Sequence, residues 1–76
     1  MSSAFELDLS GSAWPVNLLE FKRALLGLQS RDILKVLVQD PDVAEHIMIL
    51  VEHSENIRFQ KRKEGTRVLF TIQKNG

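Results

Sequence analysis

The side chains best placed for chemistry lie in a short loop that ends at Trp14. Three small residues, Ser10, Gly11 and Ser12, come first, and Pro15 follows the tryptophan. Proline suits the first turn of a helix because its missing N–H would be unpaired there. The free N–H groups at a helix start favour an anion. The loop therefore predicts a site in which backbone amides hold a phosphate while the indole stacks on a planar ring.

A second interpretation of Trp14 is purely structural. A lone tryptophan in a small domain usually packs, and this one would fold back over the helix end and fill a gap in the core. The phosphate motif is also weak, since it has one glycine and no lysine after it. We expect the indole to be at least partly exposed, which would favour recognition over packing.

Charge is unevenly distributed although ten basic and ten acidic residues balance. Residues 40–55 hold five acids and no Lys or Arg, whereas residues 56–74 hold six basic residues and one acid. Arg58, Arg62 and Arg67 would thus make a basic hairpin suited to phosphate or an acidic protein. Alternatively, these charges only keep an exposed edge soluble. Interleaved exposed aromatic residues are missing, which argues against nucleic-acid binding.

No metal or catalytic centre is predicted. His46 and His53 are seven residues apart on a predicted helix, so about 10 Å separates them, too far for one ion held at about 2 Å. The chain has no cysteine and no tyrosine, and no motif places a histidine beside a serine nucleophile. We therefore expect no enzyme activity, and no cofactor is required.

Several motifs together resemble the TusA/SirA-like family of small sulfur carriers. They are Leu7-Asp8-x-x-Gly11 with Pro15, then Lys22 followed by Ala24-Leu25, and finally Asp40-Pro41 with Ile47. In that family, a cysteine at the start of the first helix carries a persulfide, one proline follows it directly, and a second proline lies three residues after it. Here Trp14 takes the cysteine position, Asn17 takes that of the second proline, and His46 replaces an aspartate. The resemblance implies a retained fold whose sulfur chemistry cannot run on this chain.

The elements that position these residues follow from periodicity. Phe5, Leu7 and Leu9 alternate with polar residues as in a strand, and apolar residues at helical spacing follow, centred on Leu25. Residues 33–38 read as a central strand, Asp40 as a helix N-cap with Pro41 in the first turn, and residues 58–74 as a hairpin around Gly65. The predicted fold is an α+β two-layer sandwich, β-α-β-α-β-β, with both helices on one face of a four-stranded mixed sheet.

Length and hydropathy complete the prediction. Seventy-six residues, 43% of them hydrophobic, make one domain spanning residues 1–76. No apolar run approaches the roughly 20 residues of a membrane span, and no leader is evident, so we expect a cytoplasmic protein.

Two functions from different classes remain open. The first is a non-catalytic interaction module that binds a protein partner in sulfur-relay or redox complexes, with Leu19 and Leu26 beside Lys22 as candidate contacts. The second is a small-ligand binder that uses Trp14 and the adjacent helix start for a nucleotide or flavin-like phosphate. The predicted binding residues are Ser10, Gly11, Ser12, Trp14, Pro15, Asn17 and Lys22.

Overall fold

The predicted order of elements is confirmed. The computed structural model describes residues 3–75. Its elements are β1 (Ala4–Asp8), α1 (Val16–Leu26), β2 (Ile33–Val38), α2 (Pro41–Glu52), β3 (Ile57–Glu64) and β4 (Arg67–Lys74).

The four strands form one mixed sheet in the order β1-β2-β4-β3. β1 pairs with β2 in parallel, because α1 carries the chain back between them, while β4 lies antiparallel to both β2 and β3. Alternate side chains of β2 and β4 are buried and meet the helices. The opposite face of the sheet is not covered by either helix.

The core forms where both helices meet this face. Phe21 of α1 and Phe70 of β4 are fully buried, together with the stripe of Val43, Ile47 and Val51 on α2. Two expectations about α1 need correction, and the first concerns Leu25. Leu25 is only partly buried, so Phe21 and not Leu25 is the centre of the apolar face of α1.

The starts of the two helices differ. The second correction concerns Pro15. It precedes α1 as the N-cap residue and is not the first helical residue, and it makes no side-chain capping hydrogen bond. Asp40 caps α2 as predicted, since its carboxylate accepts a hydrogen bond of 2.9 Å from the N–H of Asp42. Pro41 then takes the first position of α2.

Three connections meet at one end of the sheet. Because β1 and β2 are parallel, the loops that follow them, and hence both helix starts, lie at the same end. Val38 at the end of β2 pairs with Val68 near the start of β4, which brings the β3–β4 turn to that end as well. Gly65 in this turn has a φ of 62°, the left-handed region that glycine adopts without strain. Within residues 3–75, neither helix is long and apolar enough to cross a membrane.

Candidate functional site

Trp14 lies exposed at the start of α1. Its residue surface is 52% accessible, which confirms the expected exposure and excludes a role as core filler. The indole packs on the imidazole of His46 from α2, with ring centroids 5.1 Å apart and ring planes inclined by 32°. This geometry is that of a tilted aromatic pair, and it leaves about half of the Trp14 surface accessible.

The aromatic pair borders an acidic cleft of about 310 Å³. Trp14 and His46 line it together with the carboxylates of Asp40, Asp42 and Glu45. Among residues 3–75, no Lys or Arg lines this cleft. Like charges repel, so the cleft disfavours an anion and favours a cationic group.

The small-residue loop is held by its own side chains. The carboxylate of Asp8 accepts hydrogen bonds from the N–H of Ser10 (2.9 Å) and from its hydroxyl. These bonds hold the pKa of the Asp8 carboxyl below its usual range, because they stabilise the ionised form. The N–H of Ser12 donates to the carbonyl of Leu9 over 3.1 Å, and Gly11 lies exposed between the two serines. Ser10 and Ser12 thus set the shape of the loop.

Asn17 lies inside the protein, with 2% of its surface accessible, so it is not the ligand contact that the sequence predicted. Its side-chain oxygen accepts a hydrogen bond of 2.8 Å from the N–H of Leu18, and its amide nitrogen donates to the carbonyl of Ser12 over 3.4 Å. A polar side chain that is bonded on both sides can be buried at little cost. Asn17 therefore ties the loop to the helix.

The anion site predicted at the start of α1 is not supported. The N–H groups of Asn17 and Leu19 donate to the carbonyls of Ala13 and Pro15, at 3.1 and 3.2 Å, and that of Leu18 donates to Asn17. These three amides already have partners within the chain. Together with the carboxylates of the cleft, they argue against a nucleotide or flavin-like phosphate at Trp14.

The remaining predicted residues lie apart from the cleft. Lys22 is exposed on α1, six residues after Val16, which places it about 9 Å along the helix axis from the helix start. Arg58, Arg62 and Arg67 alternate with the core-facing positions of β3 and β4 and lie on the open face of the sheet. Arg62 forms an ion pair with Glu64 there. The basic hairpin and the Trp14 cleft are therefore separate surfaces.

Sequence reasoning missed the contribution of α2 to this site. From the sequence alone, His46 was considered as a metal ligand with His53 and as a departure from the motif, and Asp42 and Glu45 only as part of the acidic stretch 40–55. One signal was present, because Trp14 and His46 are both departures from the sulfur-carrier motif, and the fold brings these two departures into contact. Within residues 3–75, no group of three or more His, Asp or Glu side chains is arranged to hold a metal ion.

Comparisons with known proteins identify the family of this chain. The sequence profile of the family described as "Sulfurtransferase TusA" matches residues 5–74. The "Sulfur carrier protein TusA" of Allochromatium vinosum is 29% identical over 70 residues, which cover 92% of each chain. No solved structure matches significantly. The match over nearly the whole chain shows that this chain belongs to the TusA family, as a member without cysteine.

Proposed function

We propose that this chain is a protein-interaction module of sulfur-relay complexes that carries no persulfide itself. The observation that supports this most directly is Trp14. It occupies the position at which the family resemblance places the persulfide cysteine, and its indole is half exposed beside an open cleft. The end of the molecule that would present sulfur thus presents an aromatic ring.

The chemistry of sulfur transfer requires a thiol. A thiolate is the nucleophile that accepts and passes on a sulfane sulfur atom, and an indole has no equivalent group. The chain contains no cysteine at any position, so no second thiol can replace the missing one. What the chain retains is the family sequence pattern over residues 5–74 and an exposed residue at the cysteine position, and both suit it to binding partners of the carriers.

A competition assay tests this proposal. A cysteine desulfurase is supplied with labelled sulfur and with the TusA carrier of Allochromatium vinosum, in the absence and presence of excess chain. We expect background label on the chain and slower labelling of the carrier, because both proteins bind the same partner surface. Trp14→Ala should relieve the inhibition. Stable persulfide on the unmodified chain, or carrier labelling unaffected by a large excess of chain, would contradict the proposal.

The matched control restores the thiol. Trp14→Cys gives the chain one cysteine at the exposed helix start, and we expect this variant to accept label from the desulfurase. Leu26→Cys places a thiol on α1 at a residue that is 87% exposed but outside the cleft, and we expect background label on it. Equal labelling of the two variants would mean that the desulfurase does not recognise the Trp14 end.

The predicted small-molecule ligand and the predicted location have less support than the interaction role. The second function that the sequence left open, a planar phosphorylated ligand, lacks support because the cleft is acidic and three amides of the helix start have partners. The cytoplasmic location stays a prediction.

A further inference from the structure

The outer side of α2 forms an exposed surface that continues from the Trp14 cleft. Asp42, Glu45, Ile49 and Glu52 follow one another at helical spacing, and His46 joins them to the indole. All of these residues are exposed. We call this surface the acidic face and define it by six residues, Trp14, Asp42, Glu45, His46, Ile49 and Glu52.

Within residues 3–75, the acids of this face have no ion-pair partners. The ion pair that forms among these residues joins Arg62 to Glu64, and it lies on the open face of the sheet. Asp42 in the first turn favours the helix, because the N-terminal end of the helix dipole is positive. Glu52 is the last residue of α2, where the dipole disfavours a negative charge and the last turn offers no basic residue. Helix stability therefore does not explain the whole set of charges.

Two apolar side chains lie among these acids. Trp14 is 52% exposed and Ile49 is 49% exposed, and both would lose water-accessible surface under a partner. Exposed aromatic residues commonly anchor protein interfaces, while surrounding charges select the partner by complementarity. An indole face also attracts Lys or Arg when the cation lies within about 6 Å of the ring centroid.

We infer that the acidic face binds a basic, amphipathic segment of a protein partner. A Lys or Arg of that segment lies over the indole of Trp14 and pairs with the carboxylates of Asp42 and Glu45. An apolar side chain of the segment covers Ile49. This inference rests on the proposed interaction role and adds the chemistry of the partner, and the excess of acids excludes phosphate-bearing surfaces of the same sign.

The test uses two synthetic helical peptides of matched sequence. One contains Leu, Lys and Arg, and the other contains Glu in place of every Lys and Arg. Each carries a fluorescein label for anisotropy, and Trp14 emission is followed with unlabelled peptide because the chain has a single tryptophan. We expect the basic peptide to bind at least about tenfold more tightly than the Glu peptide and to change the Trp14 emission saturably. Its binding should weaken as salt is added.

Two charge reversals locate the binding surface. Glu45 belongs to the acidic face, whereas Glu6 lies on the open face of the sheet beside Lys35. Glu45→Lys and Glu6→Lys change the net charge equally. We expect Glu45→Lys to lower the affinity for the basic peptide by about tenfold, and Glu6→Lys to lower it by less than about twofold. Far-UV circular dichroism confirms that both variants are folded. An equal loss in both variants would show that net charge alone drives binding and would overturn the inference.

The remaining outcomes separate this inference from the proposed function. Tighter binding of the Glu peptide with a response of Trp14 would overturn the basic partner and leave the interaction role in place. No response to either peptide, combined with no competition in the sulfur-transfer assay, would overturn both. Sedimentation without peptide tests a second copy as the occupant, and self-association that Glu45→Lys abolishes would overturn a separate protein partner.

Discussion

At the scale of single residues, Asp32 shows how the fold depends on one carboxylate. It is 6% accessible just before β2, and its two oxygens accept hydrogen bonds from the N–H groups of Ser3 (3.0 Å) and Gln29 (2.9 Å). These two hydrogen bonds, of which the one from Gln29 has the larger effect, hold the pKa of the Asp32 carboxyl below its usual range. The folded state thus prefers the ionised form, which accepts at both oxygens.

The lowered pKa of Asp32 predicts loss of stability in acid. A folded-state pKa below the unfolded value of about 4 contributes stability above that pH, and this contribution is lost as pH falls through the folded value. Asp32→Asn places an NH₂ group against one of the two donors. We expect it to lower the urea midpoint at neutral pH, with a difference from the wild type that shrinks below about pH 4.

Urea melts of both proteins from neutral pH to about pH 2 measure this difference. Asp8, whose pKa is also lowered by hydrogen bonds from Ser10, titrates in both proteins, so the difference isolates Asp32. A constant gap between the two proteins at every pH would show that ionisation of Asp32 is not involved.

At the scale of elements, α1 is held by one buried aromatic residue. Phe21 has no accessible surface, whereas Leu25, one turn later, is only partly buried against the core. The apolar spacing predicted both on the inner face, but the degree to which each position is covered depends on the strands and helix packed against it. The stability contributed by α1 therefore depends mainly on Phe21.

Truncations along α1 should show this order. We expect Phe21→Ala to lower the free energy of unfolding by about 3–5 kcal/mol and Leu25→Ala by less than about 2 kcal/mol. Leu26→Ala is the control, since Leu26 is 87% exposed, and its effect should stay within about 0.5 kcal/mol. Urea melts measure all three. A Leu25→Ala loss as large as that of Phe21→Ala would mean that the helix packs on a different face.

At the scale of the whole molecule, one continuous core joins the elements. Buried residues from both helices and from β2 and β4 form a single cluster, and Leu7 of β1 and Phe59 of β3 pack against it. No element has a core of its own. The Trp14 loop is tied to the same unit, because Asn17 is buried at the start of α1.

This arrangement predicts a single cooperative unfolding transition. Far-UV circular dichroism reports the helices, and the fluorescence of Trp14 reports the loop that precedes α1. We expect their urea curves to coincide, as required for two-state unfolding. His46→Ala removes the ring stacked on Trp14 and should change the native emission while keeping the two curves together. A fluorescence transition at lower urea would show that the loop opens before the core.

Local patterns in the sequence were sufficient for the order of elements, the Asp40 cap and the absence of a thiol. Alternation and helical spacing reflect the faces of each element, and residue composition is independent of folding. The family was also recognisable, because Leu7-Asp8-x-x-Gly11 and Asp40-Pro41 are short local motifs.

Only the tertiary structure decided which residues make the site. Trp14 and His46 meet because β1 and β2 run parallel, which places both helix starts at one end of the sheet. The same pairing places the indole in one cleft with acidic residues at the start of α2. The alternation of β3 and β4 places Arg58, Arg62 and Arg67 on the open face of the sheet. The inward turn of Asn17 likewise depends on hydrogen bonds that form only once the loop is folded. Local spacing specifies the faces of each element, but contacts between distant residues are set by strand order and direction.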